Sequence, residues 1–365
     1  MSKILLLGGT GAMGVYLREI LAEEGHSVLV TSRTPREDGP HIQFKVGNAK
    51  DVDFIRNLLE EERPDAVVDF MVYGTDEFSV RRDVFLSNTR HYVFLSSYRV
   101  FNDDKIITER SPRLLDSSDD AEYLKTDEYA LCKARSENLL RESGLKNWTI
   151  IRPGITYSKM RFQLGCLEAN TLCLRSLKGA PVAMPKEMQG KQTTLTWGRD
   201  VALMISRLIL NQKAYGEDFN CASAEHCSWG EVCDLYKELL GTEVKDCSVE
   251  DYVKIIGNRA QVCYDRLFNR VLDNSKVLAA TGIEQAELMT LKEGLSRELR
   301  RFVENPVYQY PNVAINARMD HVLGLRYDLK GLSSADKVQY LYERNRIVRF
   351  AIRAARFLKR KACCR

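Results

Sequence analysis

Three glycines, Gly8, Gly11 and Gly14, stand at G-x-x-G-x-x-G spacing between a short apolar run, Ile4–Leu7, and a helical pattern carrying Val15, Leu17, Ile20 and Leu21. Few sequence features restrict a fold more. A strand must end in a tight turn that leads at once into a helix, with backbone exposed where side chains would normally stand. The first glycine permits the turn, the second lets a phosphate approach the backbone, and the third lets helix and strand pack closely. The free N–H groups and positive dipole end of the helix then face that phosphate. An ordinary glycine-rich turn is the alternative, and the pattern of the remaining chain decides between them.

Short apolar runs recur at Ser27–Val30, Ala66–Met71, Tyr92–Leu95 and Trp148–Ile151. Segments long enough for a crossover helix separate them. Such alternation predicts a parallel sheet covered on both faces, a doubly wound α/β fold of Rossmann type. We expect residues 1–155 to form a dinucleotide-binding core. Residues 156–305 are expected to form a smaller substrate lobe, interleaved with core elements that return at about 195–215. Val201–Leu210 and Trp229–Leu240 read as helices. From 306 to 365 the chain, Tyr-rich and then Arg-rich, reads as a helical C-terminal extension.

Charge is concentrated in that extension. The stretch Leu341–Arg365 holds nine Lys/Arg against Glu343 alone and carries +8 of a net charge of +4, leaving the body at −4. The chain as a whole is therefore not read as a nucleic-acid binder. If 336–361 is helical, Arg346, Arg349, Arg353, Arg356 and Arg360 form one stripe opposite Ile347, Val348, Ala351, Ile352, Ala354, Ala355 and Leu358. Two readings stay open. The helix lies peripherally on an anionic membrane surface, or its apolar face packs on the catalytic domain or a second subunit of a homodimer. The ten cysteines show no C-x-x-C pair and no metal-ligand spacing with histidine, so no metal is expected and a reducing cytoplasm fits best. The N-terminal apolar run is too short for a signal peptide or a membrane span.

The second apolar run closes on Val30-Thr31-Ser32-Arg33. A carboxylate here would bind ribose hydroxyls and repel a 2′-phosphate, whereas Ser32 and Arg33 favour NADP(H). Arg33 as a solvated cap, or stacked on the adenine of NAD(H), is the alternative.

Tyr129-Ala-Leu-Cys-Lys133 places a phenol and an ammonium at i and i+4, one turn apart on one helix face. A free tyrosine ionises near pH 10, so phenolate chemistry near neutrality needs a neighbouring cation, which Lys133 supplies. Cys132, inside the same motif, is read as packing. Upstream, Val93–Ser97 is an apolar run ending in two hydroxyls, at the strand end where open α/β sheets bind ligands.

These motifs, with Gly47–Asp51, Leu95–Phe101, Ile107–Pro112, Ile151–Pro153, Asp200–Ala202 and Phe219-Asn220 in the same order, make residues 1–305 resemble the extended short-chain dehydrogenase/reductases. That family comprises epimerases, dehydratases and reductases of nucleotide sugars. The resemblance implies that Ser97 polarises a substrate carbonyl and that Tyr129 is the acid/base. Lys133 would also hold the nicotinamide ribose. It further implies that the cofactor lies against Gly8, Thr10, Gly11, Ala12, Met13 and Gly14, then Ser32 and Arg33, then Asn48, Ala49, Met71 and Pro153. The implied partner is a small-molecule substrate reduced, oxidised or epimerised at a secondary alcohol or ketone, with a nucleotide-activated sugar as the leading class. Two departures stand out. Ile155 occupies a position where many of these enzymes carry Asn, and Val67–Tyr73 is bulkier than the usual alanine pair. The competing reading is a non-catalytic dinucleotide sensor or nucleic-acid-binding protein on the same fold.

Overall fold

The computed structural model describes residues 1–306, 312–326, 329–345 and 348. Seven strands form one wholly parallel sheet: β1 (Lys3–Leu7), β2 (Ser27–Ser32), β3 (Ile42–Val46), β4 (Ala66–Asp69), β5 (His91–Leu95), β6 (Trp148–Pro153) and β7 (Glu217–Cys221). Their spatial order is β3-β2-β1-β4-β5-β6-β7, so the winding reverses between β1 and β4. Open α/β sheets bind ligands at such a reversal, outside the carboxyl ends of the strands. The fold is the doubly wound one that the alternation implies.

Strand periodicity explains why both faces are covered. Ile4, Leu6, Val28, Val30, Val68 and Val93 point to one side and pack with Val15, Leu17, Ile20 and Leu21 of helix α1 (Gly14–Glu23). On that side Val201, Met204, Ile205 and Leu208 of the helix Gly198–Leu208 also join the cluster. Leu5, Leu7, Leu29, Val67, Tyr92 and Phe94 point the other way, onto Ile55, Leu58 and Leu59 of α2 (Val52–Glu62) and Phe78 and Phe85 of α3 (Thr75–Asn88). Phe85 stacks on Tyr92 with centroids 4.7 Å apart. Asp51 starts α2 by accepting from the amides of Asp53 and Phe54.

Two strand ends differ from the apolar runs. β4 stops at Asp69 rather than Met71, because the Asp69 carboxylate accepts the Met71 amide (2.9 Å) and turns the chain out of the ladder. β2 runs on to Ser32, paired with Val46.

The chain divides into two units. Unit 1 contains residues 1–161, 192–227 and 268–304 and carries the large sheet. Within it, Glu298 of the helix Leu291–Glu304 is buried and accepts from the Tyr16 hydroxyl (3.0 Å) and the Trp197 indole (2.8 Å). Unit 2 contains 162–191, 228–267 and the described part of 305–365. It is mainly helical: Ala169–Leu177, Trp229–Leu240, Val249–Ile256, Val313–Val322 and Ser334–Arg344. Inside it the buried Arg175 pairs with Asp320 (2.8 Å), which also accepts from the Tyr340 hydroxyl (2.9 Å). That chain of contacts fastens both C-terminal helices to Ala169–Leu177. Among the described residues, no helix is long and apolar enough to cross a membrane. The arginine stripe Arg346–Arg360 and its apolar counterpart, Val348 apart, lie outside the described residues.

Candidate active site

At the point of reversal the loop after β1 closes tightly. Gly8 sits at φ +70°, where a side chain is strained, and a Cβ there would stand 2.9 Å from the Met71 sulfur. A Cβ on Gly14 would fall 2.6 Å from the Gly9 Cα, so the first turn of α1 rests directly on the loop backbone. The Gly8 amide donates to the Thr31 hydroxyl (3.0 Å), which ties the loop to β2.

A groove of about 450 Å³ opens beside this loop. Gly8, Thr10, Ser32, Arg33, Asn48, Ala49 and Met71 line it, so seven of the residues singled out from sequence come together. Thr31, Gly47, Lys50, Phe70 and Val72 complete the lining. Of these, Gly47 and Lys50 lie within the Gly47–Asp51 motif, and that membership is the signal the sequence holds for them. Gly11, Ala12, Met13 and Gly14 come next, at the mouth of α1, but are not part of this lining, nor is Pro153, buried at the end of β6. Among the described residues the lining includes two cations, Arg33 and Lys50, and no carboxylate. Ser32 donates to the Thr34 carbonyl (2.8 Å) and accepts from Arg36 Nε (3.3 Å), which brings a further guanidinium to the end of β2. A backbone cradle that a Cβ would fill, with cations at its far end, fits an elongated, doubly anionic dinucleotide.

The second cluster forms where β5 ends. Helix α4 (Tyr129–Arg141) begins at Tyr129, its start fixed by the Glu128 carboxylate accepting the Ala130 amide (2.8 Å). One turn on, the buried Lys133 ammonium lies 6.0 Å from the centre of the Tyr129 ring. It donates to the carbonyls of Leu95 (2.6 Å) and Met71 (3.3 Å), reaching the ends of both β5 and β4, and stands 4.6 Å from the centre of the Phe94 ring. Ser97 is buried two residues beyond β5, and its Oγ accepts the Arg99 amide (3.2 Å). That contact leaves the hydroxyl proton free for another acceptor. Arg99 also lays its guanidinium over the Tyr129 ring, 5.0 Å from the centroid, and pairs with Glu128 (2.7 Å).

Behind these side chains are two buried carboxylates that sequence reasoning does not single out. Burial pushes the Asp69 carboxyl above the ordinary range, against the Tyr92 hydroxyl (2.7 Å), the Met71 amide and the Lys133 charge, which all favour the ionised form. Glu137 is also fully buried, and burial alone would raise it; two hydrogen bonds from Arg152 (2.7 and 2.8 Å), the Arg141 charge and the Ser96 hydroxyl (2.6 Å) bring it down to about 2 instead. A signal for Glu137 exists in the sequence: Tyr129, Lys133 and Glu137 repeat at steps of four along one helix face. Cys132 donates to the Tyr73 carbonyl, and burial raises its thiol, consistent with packing.

Residues 4–222 match the model of a family described as NAD dependent epimerase/dehydratase. Over 244 residues, the chain is 28% identical to a chloroplast stem-loop binding protein of 41 kDa from Arabidopsis thaliana, a match covering 62% of this chain and 60% of that one. It is 24% identical over 174 residues to a UDP-glucose 4-epimerase from Lactobacillus helveticus, covering 44% of this chain and 51% of the other. The matched regions thus span little more than half the length of either relative. A dTDP-glucose 4,6-dehydratase from Bacillus anthracis, solved in complex with NAD, superposes with a TM-score of 0.65 at 15% identity, covering 84% of this chain and 97% of that one.

Proposed function

The chain belongs to the NAD dependent epimerase/dehydratase family, and on that premise we propose that it is an NADP(H)-dependent reductase or epimerase acting at a secondary alcohol or ketone of a nucleotide-activated sugar. What supports this reading is that Lys133 lies beside the Tyr129 ring and reaches the ends of β4 and β5, while Arg99 touches both the Tyr129 ring and the Ser97 oxygen. The Tyr129 hydroxyl gives or takes the proton of the substrate oxygen. Ser97, its oxygen occupied by the Arg99 amide, directs its proton to the same substrate oxygen and polarises the carbonyl. Lys133, anchored by two strand-end carbonyls, keeps a fixed positive charge beside the phenol. When bound, the nicotinamide dinucleotide supplies or accepts the hydride. Gly8, Thr10, Asn48, Ala49 and Met71 would hold it along the groove, with Gly11, Ala12, Met13 and Gly14 facing its phosphates.

The preference for NADP(H) rests on the end of β2, where, among the described residues, the groove offers Ser32, Arg33 and Lys50 and no carboxylate. The relatives support the nucleotide-sugar class: one is a UDP-glucose epimerase, and a protein of the same fold is a dTDP-glucose dehydratase. Incubating purified protein with NADPH and UDP- or dTDP-4-keto hexoses tests the reading, with NADPH consumption and product stereochemistry measured together. Failure to bind either dinucleotide would refute it.

A second reading comes from the stem-loop binding relative, which makes recognition of a nucleic-acid stem-loop on this fold a concrete alternative. The acidic body speaks against it, since nucleic-acid affinity is mostly phosphate neutralisation. Salt-sensitive retention of a structured RNA in a gel-shift assay, together with absent turnover, would favour it.

A further inference from the structure

The spacing of the phenol–ammonium pair sets Lys133 alone as the cation beside Tyr129. In the folded chain a second cation lies nearer. The guanidinium carbon of Arg99 is 5.0 Å from the centre of the Tyr129 ring, over its face, while the Lys133 nitrogen is 6.0 Å away and hydrogen-bonded to the carbonyls of Leu95 and Met71. Arg99 is not a surface side chain that happens to drape there. Its side chain is 13% exposed, and its Nη2 is held by Glu128 Oε1 at 2.7 Å. Glu128 is fixed in turn, because its other oxygen accepts the Ala130 amide (2.8 Å) and the Tyr123 hydroxyl (3.1 Å). The Arg99 backbone amide meanwhile holds the Ser97 oxygen. One residue thus touches two of the three proposed catalytic side chains, and its tether is the residue that starts the catalytic helix.

We propose that Arg99 is a positioning residue for Tyr129, fixing the plane of its ring and placing a second positive charge over its face. The inference rests on Tyr129 being the acid/base. A guanidinium stacked on a ring face restricts rotation of that ring, and its charge is felt by the aromatic π-system as well as by the oxygen. Among the described residues, the charged groups at the ring include Arg99 from the turn after β5 and Lys133 of α4, with Glu128 of the α4 cap paired to Arg99. Glu128 offsets part of the Arg99 charge, so the electrostatic effect is smaller than that of an unpaired cation.

The test needs neither substrate nor cofactor. In cofactor-free full-length protein, the ultraviolet signal of tyrosinate is followed against pH, and the contribution of Tyr129 is isolated by subtracting the matched Tyr129→Phe protein in each background. Arg99→Met is expected to move the Tyr129 transition to higher pH by at least about half a unit, the low end for a lost partner charge at this distance when part of it is offset. Arg99→Lys, which keeps the charge, is expected to recover most of that shift. Should Arg99→Met fail to fold, Arg99→Gln, which keeps a hydrogen-bond donor for Glu128 and removes the charge, is expected to give the same upward shift. An unmoved transition in Arg99→Met and Arg99→Gln, or an equal shift in Arg99→Lys, would overturn the proposal. Because no turnover is measured, a negative result here is distinct from failure of the oxidoreductase reading, which would show as absent dinucleotide binding.

Discussion

Glu137 receives Arg152 through both carboxylate oxygens, at 2.7 and 2.8 Å, with neither residue more than 1% exposed. Glu137 lies on α4, which begins with Tyr129, and Arg152 lies on β6, so this pair locks α4 against the sheet. It also takes the Ser96 hydroxyl, next to Ser97. The same geometry thus bears on two of the three proposed catalytic side chains.

Removing one partner of a buried ion pair strands the other. Glu137→Gln is therefore expected to lower stability by about 3–5 kcal/mol, measured by urea unfolding near neutral pH. Because the folded carboxyl is depressed to about 2, its contribution is present above the ordinary carboxylate range and lost as pH falls through 2. The wild type should lose this increment across that acid window and the variant should not. Equal acid sensitivity of the two proteins would contradict the assignment.

Asp200 gives the opposite sign. Burial pushes its carboxyl up to about 6, opposed by the Met289 amide (2.8 Å) and the Arg199 charge. In the unfolded chain it ionises near pH 4, so between about 4 and 6 the folded state holds the extra proton and stability falls as pH rises. Asp200→Asn keeps an acceptor for the Met289 amide and removes the charge. It should flatten this part of the stability curve, gaining on the order of 2–3 kcal/mol at pH 7. Unfolding midpoints at pH 4.5 and pH 7 decide the matter, and a variant that is less stable at pH 7 would refute it.

Tyr129→Phe removes only the oxygen that carries the proton. Folding and dinucleotide affinity are expected to stay near wild type while turnover drops by at least about a hundredfold. Near wild-type turnover in the purified variant would show that the proton moves through another group.

Arg33 is exposed at the end of β2 and faces the groove. A guanidinium can pair with both oxygens of a 2′-phosphate, which NADH lacks. Fluorescence titration should therefore give tighter binding of NADPH than of NADH, and Arg33→Ala should narrow the gap about tenfold or more, the scale of a charge-assisted hydrogen bond. Equal affinities in the wild type would remove the case for NADP(H).

The basic stripe Arg346–Arg360 makes a prediction from sequence alone. Each arginine near an anionic surface contributes about 1 kcal/mol, so five aligned ones suffice for salt-sensitive attachment. If the stripe is helical and lies on the membrane, flotation with anionic vesicles at low but not high salt is expected. Absence of flotation at low salt would leave the packed-helix alternative.

What the sequence determined by itself was local. The glycine spacing after an apolar run could close only as a strand, a tight turn and a helix, because a Cβ at Gly8 or Gly14 meets neighbouring atoms within 3 Å. Alternating apolar strands and helices implied a covered parallel sheet, and the step of four put Tyr129 and Lys133 on one face, since helical geometry fixes that distance. Only the tertiary structure decided what stands behind and above that pair. Arg99 is 30 positions from Tyr129, and Asp69 at the end of β4 meets Lys133 of α4 only through the Met71 backbone. Residues 268–304 belong to unit 1 although the chain has passed through unit 2 to reach them. The order in which strands join the sheet sets such contacts, and burial then makes each charged group find a partner wherever the chain brings one. Periodicity encodes which face a residue occupies, but not which distant residue it meets there.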